Sequence, residues 1–172
     1  MVRLLGAMLI LGAALWSGAY FAMKEKYRLQ ELEELERAMV WLQGQISYLS
    51  APLETAMEDI SRRTNGQIGA VFQQIAEKLS ERQVGTAEEI WRAVWLKEMG
   101  HTFLSAEDVE EVLLLGNSLG YLDKTRQENS IRLFLRYAEA ALLQGRKRLE
   151  KNGRLYYGIS GLSGLLVVVT LL

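Results

Sequence analysis

The side chains able to do acid–base or ligand chemistry are few in type and clustered in place. His101 is the sole histidine and cysteine is absent, so neither a two-histidine zinc site nor thiolate chemistry can be assembled within one chain. A lone histidine between two apolar stretches reads as a residue at a helix–loop junction. Carboxylates are plentiful in "ELEELE" from Glu31 and "EDVEE" from Glu107. Catalytic pairs need a cleft and burial to separate their pKa values, whereas these runs fall on the expected solvent faces or first turns of helices. "GNSLGYLDKT" has the flavour of a phosphate loop, but its glycine spacing is wrong, it has no Gly-Lys-Ser/Thr step, and it follows a helical pattern instead of a strand. The expectation is therefore no catalytic residue, no cofactor and no metal.

What remains is architecture. The chain has 172 residues, a formal net charge of −1 and a single proline, and its middle is rich in leucine and glutamate. Near-neutral charge argues against a general nucleic-acid binder, and the composition favours an all-α chain. Without cysteine there is no disulfide framework, which suits a reducing compartment.

Both ends are apolar. Residues 4–23, "LLGAMLILGAALWSGAYFAM", contain no charge and would extend ~30 Å as a helix, the hydrocarbon thickness of a bilayer. Residues 155–172 end in "YYGISGLSGLLVVVTLL", apolar all round and flanked by two tyrosines suited to the headgroup region. Two transmembrane helices are expected, enclosing a domain at 24–154. Lys24, Lys26 and Arg28 follow the first span, and Arg146, Lys147, Arg148, Lys151 and Arg154 precede the second. By the positive-inside rule the domain faces the cytoplasm and both termini just reach the outer face. The rival is a signal peptide cleaved near Ser17-Gly18-Ala19, which would put the domain outside; the single basic residue before the apolar run and the three after it argue against this. Small residues at Ala14, Gly18 and Ala22 and at Gly158, Gly161 and Gly164 form stripes that allow transmembrane backbones to pack closely, and helix pairing, within or between chains, is the expected use; ordinary tolerance of glycine in membrane helices is the alternative. The basic run "GRKRLEKNGR" suits anionic lipid at the cytoplasmic surface.

Within the domain, Leu32, Leu35, Met39, Leu42, Ile46 and Leu49 follow a heptad spacing, and Ile131, Leu135, Ala138, Leu142, Gly145 and Leu149 repeat a matching one. If these helices continue the two spans, they are antiparallel neighbours and bury each other's stripes. A parallel coiled-coil homodimer through the first stripe is the alternative. Pro52 suits the first turn of a second helix that ends near "RRTNG", and Ile68, Val71, Phe72, Ile75 and Leu79 mark a third. Thr86 and Ser105 precede acidic residues as N-caps of a fourth and a fifth helix, Gly120 suits a left-handed C-terminal cap, and Asp123 caps a sixth. An antiparallel bundle of about six helices is predicted.

In this order and spacing, "LLGAMLILGA", "ISYLSAPL", "LGNSLGYLDKTRQENSIRL" and "GLSGLL" resemble the stage III sporulation protein AB family of endospore-forming bacteria. Leu119-Gly120, Asp123, Gln127, Ile131 and Leu133 stand where that family's pattern has them. Lys124-Thr125 replaces its usual Arg-Glu pair, Gln45 a common acidic residue and Ser160 a glycine. The resemblance implies a component of the sporulation channel complex, SpoIIIA–SpoIIQ, in the mother-cell-derived membrane around the forespore. It also implies a helical domain similar to the cytoplasmic domain of the type II secretion inner-membrane platform protein F. The implied partners are other SpoIIIA proteins and a secretion-type ATPase. On this reading the chain is a non-enzymatic scaffold with Asp123, Arg126 and Gln127 as its partner-binding residues; the alternative is a membrane-tethered regulator or sensor that dimerises through its juxtamembrane coiled coil.

Overall fold

The computed structural model describes the backbone of residues 2–49, 51–81, 85–119 and 123–171, and side chains within 16–48, 51–81, 85–119 and 123–151 apart from 17–19 and 21. Every regular element among them is helical. Helix α1 runs Val2–Gly44 and passes into one π turn at Gln45–Leu49; α2 is Leu53–Arg63, α3 Gly66–Ser80, α4 Ala87–Glu98, α5 Ala106–Gly116 and α6 Lys124–Leu171, with a 3-10 turn at Met99–His101 after α4. The predicted bundle of six helices is thus observed.

The chain divides into two compact units, Met1–Tyr27 with Leu143–Leu172, and Arg28–Leu142. In the first unit Trp16, Tyr20 and Met23 are exposed along α1. Among the described residues no helix is long and apolar enough to cross a membrane. Most side chains of the two predicted spans lie outside the described residues, as do those of Ala14, Gly18, Gly158, Gly161 and Gly164; Ala22 is half-buried.

The second unit has one core. Heptad spacing keeps Leu32, Leu35, Met39 and Leu42 on one face of α1, and all four are fully buried inside the chain. The seam that a parallel homodimer would need is therefore already filled; Leu49's side chain lies outside the described residues. Ile131, Phe134, Ala138 and Leu142 supply the matching stripe of α6, with Leu135 only half-buried because Phe134 takes the inward position.

Helices α2 and α3 form a tight hairpin through Thr64-Asn65-Gly66, where Gly66 adopts φ +64°, a left-handed conformation that costs a side-chain-bearing residue. Pro52 sits one position earlier than predicted, at the N-cap of α2. Phe72, Trp91 and Trp95 meet edge-on or tilted at centroid separations of 5.9–6.5 Å, and the Trp91 Nε1–H donates to the Val112 carbonyl at 2.9 Å, tying α3, α4 and α5 together. Thr86 and Ser105 cap α4 and α5 as the sequence predicts, each within a reciprocal capping box closed by Glu89 and Asp108.

Candidate functional site

The predicted binding residues come together locally. Asp123 Oδ1 accepts the Arg126 backbone N–H at 3.3 Å and the Asp123 carbonyl accepts that of Gln127 at 3.2 Å, so Asp123 is the N-cap of α6. Asp123 and Arg126 are exposed and Gln127 is half-buried in the first turn. Gly120, predicted to end the preceding helix, lies outside the described residues. The turn is held to the end of α1. Lys124 Nζ donates to the Ser47 carbonyl at 2.5 Å, and the Ser47 hydroxyl donates to Glu128 Oε1 at 2.7 Å. Lys124 thus anchors the start of α6.

The sequence reading missed the most polar part of the interior. Asp108, expected to be solvated within "EDVEE", is completely buried. Arg28 reaches it with two parallel bonds, Nε to Oδ2 at 2.7 Å and Nη2 to Oδ1 at 2.8 Å. The Tyr137 hydroxyl donates to Oδ1 at 2.7 Å, and the Ser105 backbone N–H and hydroxyl each donate to Oδ2 at 2.7 Å. One carboxylate therefore joins α1, α5 and α6 while closing the cap of α5. Burial alone would raise the Asp108 pKa, but the Arg28, Ser105 and Tyr137 donors outweigh it and hold the carboxyl below its usual range. Tyr137 moves the opposite way: burial and the bond to the Asp108 carboxylate both push its phenol well above the ordinary tyrosine range.

A signal for this site was present. Arg28 stands four residues before Leu32, on the same helical face as the buried stripe, and a cation there needs an anion from another element. The sequence places Arg28 with the cations that follow the first predicted span; of those three, Lys24 and Lys26 are exposed.

Two further carboxylates depart from a purely solvated role. Glu31 Oε2 accepts the Phe103 backbone N–H at 2.6 Å, and burial raises its pKa against the pull of the Phe103 and Leu104 amides. Glu98 is 6% exposed, accepts from Gln67 at 3.0 Å and pairs with Lys97 at 3.1 Å; hydrogen bonds from Lys97 and then Gln74 lower its pKa. His101 is exposed in the 3-10 turn, and no group of three or more His, Cys, Asp or Glu side chains converges among the described residues. A shallow groove of about 450 Å³ lies between α2 and α3, lined by Glu54, Glu58, Arg62 and Glu77 among others.

This all-helical arrangement has relatives. The sequence model of the family described as Stage III sporulation protein AB (spore_III_AB) matches residues 3–172. Stage III sporulation protein AB of Bacillus subtilis (strain 168) is 26% identical over 172 residues, covering 100% of this chain and 100% of the relative. A solved structure of Stage III sporulation protein AB (SpoIIIAB) is similar with a TM-score of 0.67 and 22% identity, over 72% of this chain and 97% of the other, a likeness of fold. From its sequence model match along almost its whole length, the chain belongs to the stage III sporulation protein AB family.

Proposed function

We propose that the chain is a non-enzymatic scaffold: residues 4–23 and 155–172 span the membrane, and the helical unit between them docks partner proteins on the cytoplasmic side. The observation that carries this reading is the use made of the buried carboxylate. Asp108 is saturated by five donated hydrogen bonds from Arg28, Ser105 and Tyr137, which spends its charge on joining three helices. A group tuned for acid–base work keeps a site for a proton or substrate, and its pKa moves toward the working pH; that of Asp108 moves away from it. Residues 4–23 and 155–171 are helical in backbone, the form a single span requires, and Trp16 and Tyr20 are exposed on the first of them.

Asp123, Arg126 and Gln127 form the docking turn in this reading. Its partners would be the other SpoIIIA proteins and a secretion-type ATPase, with anionic lipid contacted by the basic residues beside the second span, in the membrane around the forespore. Recovery of the full chain in mild detergent from the membranes of sporulating cells tests this. Co-purification of SpoIIIA proteins and the ATPase is expected; recovery of the chain alone, folded and in good yield, refutes it. The regulator that dimerises through Leu32 to Leu49 would have to unpack four fully buried side chains, Leu32, Leu35, Met39 and Leu42, and is the weaker reading.

A further inference from the structure

One side of α1 carries large apolar side chains that the chain itself leaves well exposed. Val40, Trp41 and Tyr48 are 54%, 47% and 87% exposed, and they lie opposite the buried stripe of Leu32, Leu35, Met39 and Leu42. Gly44 lies between them, four residues from Val40 and four from Tyr48. A Cβ at Gly44 would meet nothing within 4 Å, so packing inside the chain does not require a glycine there, although glycine weakens a helix. A bare backbone between large apolar side chains suits the close approach of another helix. The Arg63 guanidinium lies over the Trp41 ring, 4.6 Å from its centroid, and has no carboxylate partner among the described residues. The face thus carries apolar side chains toward its C-terminal end, with Arg63 beside Trp41, while Arg37, one turn earlier, is paired with Glu34.

The complementary face occurs on the same chain. Glu107, Glu110 and Leu114 follow one another at helical spacing on the outer side of α5, opposite its buried Val109, Val112 and Leu115. Leu114 is 54% exposed, and neither glutamate has an ion pair among the described residues. We propose that the outer face of α5 of one copy docks on the outer face of α1 of the next, with Leu114 against Val40 and Tyr48 across Gly44 and the glutamates toward Arg63. Pairing α1 with α1 across a two-fold axis would bring the Arg63 charges together, which disfavours it. The contact is heterologous, so each copy keeps one face free for a further copy, and association extends beyond the dimer. It is independent of which proteins bind at the Asp123 turn.

The absence of native cysteine makes the test direct. The full chain carrying Val40→Cys and Leu114→Cys together, purified in mild detergent, should give dimers, trimers and larger species with a short thiol cross-linker. A mixture of the two single variants should stop at the dimer. Adding Arg63→Glu should reduce the cross-linked fraction about tenfold, and Glu110→Arg in the same chain should recover it. Unchanged thermal melting of these surface variants separates lost contact from lost fold. The proposal is overturned by the absence of a ladder, by a dimer from Val40→Cys alone, by an equal ladder when Leu133→Cys replaces Leu114→Cys, or by Val40→Cys linking only to a different protein in sporulating-cell membranes.

Discussion

Replacing Asp108 by alanine should be among the most damaging single changes in the helical unit. Removing one partner of a buried ion pair typically costs about 3–5 kcal/mol, because the other charge is left without compensation. Arg28 keeps 12% of its side chain exposed, so partial contact with water puts this contribution near the lower end, about 3 kcal/mol. The Tyr137 hydroxyl and the Ser105 N–H lose their acceptor as well, each worth about 1 kcal/mol. These contributions share one carboxylate and do not simply add, so about 4 kcal/mol is expected, against a total of about 5–15 kcal/mol for a typical domain. Thermal melting of the full chain in detergent, followed by the fluorescence of buried Trp91 and Trp95, should fall by about 8–16 °C. The pairing also predicts a rescue: Arg28→Leu with Asp108→Leu should lose less than Asp108→Ala alone, because no charge is stranded. The sign with pH follows from the depressed Asp108 pKa. Its stabilisation is fully present above the unfolded carboxyl value of about 3.9 and is lost as pH falls through the lower folded value, so the gap between wild type and variant should close only below about pH 4. A loss under about 1 kcal/mol, or a gap that does not vary in acid, would refute the account of Asp108 as the joint of three helices.

Other consequences can be checked in the same preparation. The raised Tyr137 pKa means that its stabilisation is present below the unfolded value of about 10 and is lost as pH climbs toward the folded value, so Tyr137→Phe should flatten the alkaline arm of the stability profile. Gly116→Ala would drive a Cβ into Trp91 Cδ1, and should cost about 1–3 kcal/mol and alter tryptophan emission as the ring shifts. At the α6 start, Asp123→Ala should cost about 1 kcal/mol through the lost cap, whereas Arg126→Ala should stay within about 0.5 kcal/mol and yet lose partners; full partner recovery and normal sporulation in the folded Arg126→Ala variant would remove Arg126 from the docking turn. A cysteine introduced by Ser80→Cys, at an exposed position, should resist a membrane-impermeant thiol reagent in intact cells and react after lysis; labelling of intact cells would put the domain outside.

Much of the helical framework was written locally in the chain. The 3.6-residue repeat fixes which side of each helix is apolar, and Leu32 to Leu42 and Ile68 to Ile75 are buried as their spacing predicts. Capping is equally local: Thr86, Ser105 and Asp123 each satisfy backbone N–H groups within three residues, a signal legible without tertiary context. The apolar runs at 4–23 and 155–172 and the basic residues beside them likewise belong to the sequence alone.

Only the tertiary structure decided which polar residues are interior. Arg28 and Asp108 are 80 positions apart, and Asp108 and Tyr137 are 29 apart. In sequence, Asp108 is one more acid in the first turn of a helix; its spacing from Ser105 and Val112 separates it from Glu107 and Glu110, but nothing in "EDVEE" names Arg28 or Tyr137 as its partners. Its burial follows from the direction in which α5 is laid against α1 and α6, a choice made by the summed packing of the core. A carboxylate is affordable there because the same packing brings a guanidinium, a phenol and its own cap donors within hydrogen-bonding distance of its two oxygens.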